Sequence, residues 1–172
     1  MPSIHPCDLP PDALLRKYRE SGAYTDCYAV DVSPPVSQAV YVEAFYTSAV
    51  FKIERLLLAW FLSRPATDQQ ARLLATGQID AFAAWTVEGR DTRQLLLCDF
   101  QSRTRSWLMS APVNVNGSPG TRLYFGSAVV PVRDRRTGET TMGFVFRALL
   151  GFHKLYSRVL LRAAANRLTS KP

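Results

Sequence analysis

Residues 120–168 read GTRLYFGSAVVPVRDRRTGETTMGFVFRALLGFHKLYSRVLLRAAANRL, and a change of period inside this stretch decides the fold. Thr121 to Val132 is rich in β-branched and aromatic residues and reads as a strand. Asp134 to Glu139 is polar, with Gly138 at its tip. Thr140 to Arg147 is a second apolar run, placed to pair back on the first. From Leu149 to Leu168 the spacing becomes helical, and Leu149, Phe152, Tyr156, Val159, Leu160 and Ala163 fall on one face. A helix with so wide an apolar face must lie on something apolar, and the sheet before it is the surface of matching size. Lys154, Arg158 and Arg162 recur every four residues and are expected on the solvent side.

Working outward, the N-terminal residues are Pro-rich, and Pro10 or Pro11 opens a short helix through Arg19 that Gly22 stops. Residues 1–23 form an N-terminal extension carrying this helix. Asp26 to Val32 alternates, with Cys27, Ala29 and Asp31 on one side and Tyr28, Val30 and Val32 on the other, and reads as the first strand. Ser33-Pro34-Pro35 breaks it, and Ser33 or Ser37 is placed to cap the next helix. Val36 to Leu62 carries two helical stripes with a break expected at Thr47-Ser48-Ala49, and Pro65 ends the run. Thr67 and Gln70 form a capping-box pattern for a short helix over Asp68 to Ala75, stopped at Gly77. Ala81 to Val87, Arg93 to Phe100 and Thr104 to Met109 are three further strands, the first two joined by a turn at Glu88-Gly89-Arg90-Asp91. Ala111 to Gly120 reads as a loop. No linker or repeat divides the chain, so residues 1–172 are expected to form one domain. Short turns between consecutive strands imply a meander with helices gathered on one face. The expected architecture is therefore α+β, a curved antiparallel sheet wrapped around a long C-terminal helix.

The chain has 172 residues, an apolar fraction of 47% and a charged fraction of 20%, ordinary values for a globular protein. Its net charge of +7 is uneven: residues 133–172 hold nine basic and two acidic residues, so residues 1–132 are neutral. A basic C-terminal face suits nucleic acid, acidic lipid or an acidic partner, but interleaved aromatics and Gly-rich loops are missing, so nucleic acid is not expected. Cys7, Cys27 and Cys98 lack metal-ligand spacing and read as free thiols, with Cys27 and Cys98 in strands. The N-terminus lacks the pattern of a signal peptide, and the longest apolar run, Leu56 to Leu62, is too short to cross a bilayer. A cytoplasmic, reduced protein without a transmembrane segment is the expectation.

The element order resembles the START/SRPBCC helix-grip superfamily, in which a curved sheet grips a C-terminal helix over a ligand cavity. Three segments carry a narrower likeness to an uncharacterised bacterial family assigned to that superfamily. They are TDCYAVDV at 25–32, GTRLYFGSAVV at 120–130 and LLGFHKLYSRVLLRAA at 149–164, the last with Phe152-His153 followed by Tyr156. The resemblance spans about Tyr24 to Leu168. The superfamily includes lipid carriers, hormone receptors, cyclases and oxygenase domains, and the metal- and cluster-binding residues of the oxygenases have no counterpart here. No metal or cofactor is therefore expected.

The candidate site residues follow from faces. Trp85, Trp107, Tyr124 and Phe146 are strand aromatics that pack a core or line a pocket for an apolar ligand. Asp99 shares a face with Leu95, Leu97 and Gln101. It points into the cavity if that face is concave, and is solvated or paired with Arg105 if it is convex. Arg122 and Tyr124 share a face and would hold a ligand carboxylate if that face is concave; otherwise Arg122 faces solvent. His153 is a polar contact or acid/base at the cavity mouth, or a histidine bonded to loop backbone. Tyr156 joins them from the helix. The set expected to bind ligand is Trp85, Asp99, Trp107, Arg122, Tyr124, His153 and Tyr156. The expected function is binding of a small apolar or amphipathic ligand between sheet and helix. The alternatives are a cyclase- or hydrolase-like enzyme pairing His153 with Asp99 or Tyr124, and an interaction module using the basic C-terminal face.

Overall fold

The computed structural model describes residues 3–53, 66–133, 140–141 and 144–170, with side chains described for 3–53, 66–131 and 154–170. The chain opens with β1 (His5–Pro6) and α1 (Arg16–Glu20), followed by β2 (Tyr24–Val32), α2 (Gln38–Tyr46), a helix α3 described over 49–53, and α4 (Asp68–Ala75). A run of strands comes next: β3 (Ala81–Phe82), β4 (Trp85–Arg90), β5 (Gln94–Asp99), β6 (Thr104–Val115) and β7 (Ser118–Val129). A small ribbon, β8 (Val132–Arg133) with β9 (Thr140–Thr141), precedes α5 (Phe144–Thr169).

The seven main strands form one antiparallel sheet in the order β1-β2-β7-β6-β5-β4-β3. The strands after the helices run as a meander, and β2 returns to pair with β7 in a register that sets Tyr24 against Val129 and Val32 against Thr121. This is an α+β helix-grip arrangement, a curved antiparallel sheet carrying a long C-terminal helix.

Local signals place the helices. The Ser37 hydroxyl accepts the Val40 N–H at 3.3 Å and caps α2. Thr67 accepts the Gln70 N–H at 3.1 Å while the Gln70 side chain accepts the Thr67 N–H at 2.9 Å, the reciprocal capping box. Gly22 and Gly77 end the chain's helical turns with φ of 84° and 77°. The break between α2 and α3 falls at Thr47 and Ser48.

Several expectations change. Ala111 to Gly120 is not a loop: β6 and β7 run through it, and the turn is Asn116-Gly117, with φ of 52° and 84°. Asn-Gly supplies the two positive-φ residues a tight primed hairpin turn needs, and Asn114 Oδ1 braces it by accepting the Gly117 N–H at 2.8 Å. The β4–β5 turn lies at Asp91-Thr92-Arg93 rather than Glu88 to Asp91, with Asp91 Oδ1 accepting the Arg93 N–H at 2.7 Å. Gly89 instead sits in a register shift inside β4. The strand expected over 81–87 is interrupted at Ala83, whose φ is 52°. The helix begins at Phe144, five residues before Leu149, and takes over the second half of the second expected strand.

The sheet buries both faces. On the inner face Tyr28, Val30, Leu97, Leu108, Leu123 and Phe125 pack against Tyr41, Phe45 and Tyr46 of α2 and Leu160, Leu161 and Ala164 of α5. On the outer face Cys27, Leu96, Trp107, Met109 and Ala128 are covered by Leu9, Ala13 and Leu15. The N-terminal residues expected as an extension are thus a lid over the outer face. Gln94, 3% exposed, holds that lid: its Oε1 accepts the Leu14 N–H and the Trp107 indole N–H, both at 2.9 Å. Its Nε2 donates to Asp12 O at 3.0 Å and Asp91 Oδ2 at 2.8 Å. Gly126 lets the Trp107 ring lie against the sheet, since a Cβ there would come within 3.0 Å of that ring.

The buried stripe of α5 is rotated from the expected one. Leu160, Leu161, Ala164 and Ala165 are buried, Tyr156 and Ala163 are half-buried, and Val159 is 40% exposed. Lys154, Arg158 and Arg162 are exposed as expected. The side chains of Leu149 and Phe152 lie outside the described residues. The inner face is narrower than the six-residue stripe, because α2 shares the sheet with α5, so Val159 falls off its edge.

Candidate functional site

Between the inner face of the sheet and α5 lies a cavity of about 210 Å³. The strands present Ser106, Phe125 and Ser127 to it, α2 and α3 present Phe45 and Phe51, and α5 closes it with Tyr156, Ser157 and Leu160. Trp85, at the start of β4, lines one end. The register makes this group. Leu108 pairs with Phe125 and Ser106 with Ser127, so two small polar residues sit side by side next to a large aromatic one. Two serines on an otherwise apolar face leave a space between sheet and helix that the flanking aromatics do not fill.

The walls are apolar, with a few polar groups. Phe45 and Phe125 meet at a tilt with ring centroids 4.9 Å apart, as do Phe45 and Phe51 with centroids 6.0 Å apart. Ser127 Oγ donates to Asp26 Oδ1 at 2.6 Å, and the Ser106 and Tyr46 hydroxyls are 3.4 Å apart. The Trp85 indole N–H is buried and has no hydrogen-bond partner. An indole N–H is donor-only, so it is left with a desolvated donor.

The seven residues expected to bind ligand divide. Trp85 and Tyr156 meet at the cavity. Trp107, Arg122 and Tyr124 do not: they project from the outer face, on the side of the sheet opposite α5. Trp107 is fully buried there under the N-terminal lid. Arg122 makes a bidentate pair with Asp31, at 2.7 and 2.8 Å, which faces it across the β2–β7 ladder. The pair holds the Asp31 carboxyl below its ordinary range, first through those hydrogen bonds. Tyr124 packs beside Trp107, and burial pushes its phenol up. Asp99 is neither a cavity group nor a partner of Arg105: its Oδ1 accepts the Arg103 and Thr104 N–H groups at 2.7 and 3.0 Å and shapes the β5–β6 turn. The side chain of His153 lies outside the described residues.

Of the partners named for His153, Asp99 is bonded into a turn and Tyr124 lies on the face opposite α5. Arg105 is bound elsewhere. Its Nε donates to Glu88 Oε2 at 2.6 Å and to the Tyr18 hydroxyl at 2.8 Å, and Tyr18 in turn donates to Glu88. Burial pushes the Glu88 carboxyl up, but bonds from Lys17, Tyr18 and Arg105 outweigh it and leave the group below its ordinary range. Among the described residues no cluster of three or more His, Cys, Asp or Glu could hold a metal ion. No helix of the described residues is long and apolar enough to cross a membrane.

The sequence reading did not single out Phe45, Phe51, Ser106, Ser127, Ser157 and Leu160 as a site. The signal for Ser106 and Ser127 was present: alternation puts each on the face of Leu108 and Phe125. Phe45 and Phe51 came from helices whose packing partner alternation cannot supply.

No family profile matches the chain, and no curated protein matches it. Among solved structures the chain is similar to the crystal structure of CalU16 from Micromonospora echinospora, at 12% identity over 97% of this chain and 92% of that one, with a TM-score of 0.30.

Proposed function

We propose that residues 1–172 form one helix-grip domain of the START/SRPBCC kind that binds a small apolar or amphipathic molecule between sheet and α5. The observation that carries this is the cavity itself: Phe45, Phe51, Phe125 and Leu160 wall it, and Trp85, whose buried indole N–H has no hydrogen-bond partner, lines one end. A ligand with an apolar body and one hydrogen-bond acceptor satisfies both features, the body replacing water against Phe45, Phe51 and Phe125 and the acceptor taking the Trp85 N–H. Its volume of about 210 Å³ lies below the usual ~300–1,000 Å³ of ligand sites, which favours a compact molecule over a long acyl chain. Trp85 and Tyr156 are the binding residues retained from the expected set. Trp107, Arg122, Tyr124 and Asp99 serve the sheet, its lid and its turns.

The test is native mass spectrometry of the chain after incubation with a bacterial lipid and metabolite extract. The expected result is a retained small-molecule adduct on the wild type that is lost when Ser127→Phe fills the cavity. The adduct should persist in Arg122→Gln, whose side chain is on the other face. No adduct on the wild type, or one indifferent to Ser127→Phe while Arg122→Gln removes it, would overturn the reading.

A further inference from the structure

We propose that Cys7 and Cys27 form a redox-active dithiol, a site of reversible oxidation to a disulfide with a hydroperoxide as oxidant. Their Sγ atoms are 3.2 Å apart. The backbone brings them together: His5 faces Ala29 and Pro6 faces Tyr28 in the β1–β2 pair, so the next pair is Cys7 and Cys27. The Cys7 N–H donates to Cys27 O at 3.0 Å and holds that register. Opposed residues of antiparallel strands have Cα atoms ~4.5–5.5 Å apart, inside the ~4.4–6.8 Å that a disulfide spans. Closing the bond therefore needs side-chain rotation and no backbone displacement.

The two thiols are not equivalent. Cys7 is half-buried and Cys27 is buried. A cleft of about 510 Å³ opens on both, lined also by Asp8, Asp26 and the cations Arg19, Lys154 and Arg158. Oxidant therefore reaches the pair from solvent. The third cysteine, Cys98, lies on β5, with its thiol against Asp99 O at 3.3 Å and the Ser102 hydroxyl at 3.8 Å. The Cys27 thiol's hydrogen bond, helped by the Arg122 charge, outweighs burial and draws the Cys7 thiol below its ordinary range. The same contact, with burial, pushes Cys27 up. Cys7 is thus the attacking thiolate and Cys27 the resolving thiol.

The chemistry balances without a further reactant. The Cys7 thiolate attacks one peroxide oxygen, an S–O bond forms, the O–O bond breaks, and the alkoxide or hydroxide leaves with a proton from solvent. Cys7 is now a sulfenic acid. The Cys27 sulfur displaces its hydroxyl: the S–S bond forms, the S–O bond breaks, and the Cys27 proton leaves with the hydroxyl as water. Two thiols are oxidised, and the peroxide is reduced to water and an alcohol or a second water. The disulfide ties the lid carrying Leu9, Ala13 and Leu15 to β2.

The experiment uses the whole chain, fully reduced, then treated with hydrogen peroxide and digested with trypsin without reductant. The expected product joins the peptide of residues 1–16 to that of residues 20–52, and dithiothreitol separates them. Cys98→Ser should leave the product unchanged. Cys27→Ser should abolish it and let dimedone trap Cys7 as a sulfenic acid. On the wild type, Cys7 should lose labelling by a maleimide about tenfold faster than Cys98, as a thiolate-rich, accessible thiol does. Equal loss at all three cysteines, or a cross-link involving Cys98 in place of the Cys7–Cys27 product, would overturn the proposal. The wild-type peptide map decides the matter even where a serine variant fails to fold.

Discussion

Replacing Gln94 by methionine keeps the length and volume of the side chain but removes every polar atom at its end. Gln94 serves four groups at once: Leu14 N–H and Trp107 Nε1–H as acceptor, Asp12 O and Asp91 Oδ2 as donor. Trp107 is fully buried, so its indole N–H has no water to turn to. Leaving a buried donor unsatisfied costs ~1–3 kcal/mol. The Leu14 N–H, on the lid itself, loses its bond as well, which adds ~0.5–1.5 kcal/mol. Asp12 and Asp91 are near solvent and recover theirs from water. The expected loss is thus roughly 2–4 kcal/mol, a large part of the ~5–15 kcal/mol of a typical domain. At ~2–4 °C per kcal/mol for a domain of this size, Tm falls by about 4–16 °C. Urea unfolding monitored by tryptophan fluorescence gives the free energy, and Trp107→Phe supplies the control. Once the indole N–H is gone, Gln94→Met should cost less than in the wild type. A cost under about 0.5 kcal/mol in the wild-type background, the range of ordinary surface changes, would show that Gln94 does not hold the lid.

Gly126→Ala should destabilise by ~1–3 kcal/mol in the same assay, because the new Cβ meets Asp26 O at 2.8 Å, Leu15 Cδ2 at 2.9 Å and the Trp107 ring at 3.0 Å. Leu161→Asp should yield insoluble protein, since an unpaired charge against the sheet costs several kcal/mol, whereas Val159→Asp should stay within about 0.5 kcal/mol of the wild type by thermal melt. Glu88 is held below its ordinary range in the folded state. Its contribution is present above the unfolded carboxylate value of ~4.3 and is lost as pH falls through the lower folded value, so Glu88→Gln should differ most from wild type near neutral pH and converge with it in acid. Urea melts at several pH values read this directly, and a difference that grows in acid would refute the sign.

The order of elements was legible because hydrophobic period and punctuation are local. Thr67 with Gln70, Gly22, Gly77 and the alternation of Tyr28, Val30 and Val32 each state their structure within a few residues. The Asn116-Gly117 hairpin was equally local but lay between Pro112 and Pro119, which masked two strands long enough to hold proline near their ends. The faces were harder. Alternation separated Arg122 and Tyr124 from Leu123 and Phe125, yet which set faced α5 depended on what covered the other side. A Pro-rich N-terminus with little periodicity gave no sign that Leu9, Ala13 and Leu15 would cover Trp107. The candidate cavity was legible at Trp85 and Tyr156 and invisible at Phe45 and Phe51, because it arises from helix placement over the sheet, a long-range property.

The pairing of β2 with β7 also sets a timetable for synthesis. β2 leaves the ribosome early, but its partners, Val129 opposite Tyr24 and Thr121 opposite Val32, follow some 89 to 105 residues later. At ~5–20 residues per second, that delay is roughly 5–20 s. Throughout it, the apolar face of Tyr28, Val30 and Val32 has neither the β7 ladder beside it nor α5 over it. The strands from β4 to β7 can zip locally as they emerge, so nascent chains stalled before residue 118 should engage chaperones through β2, and release should coincide with the arrival of β7.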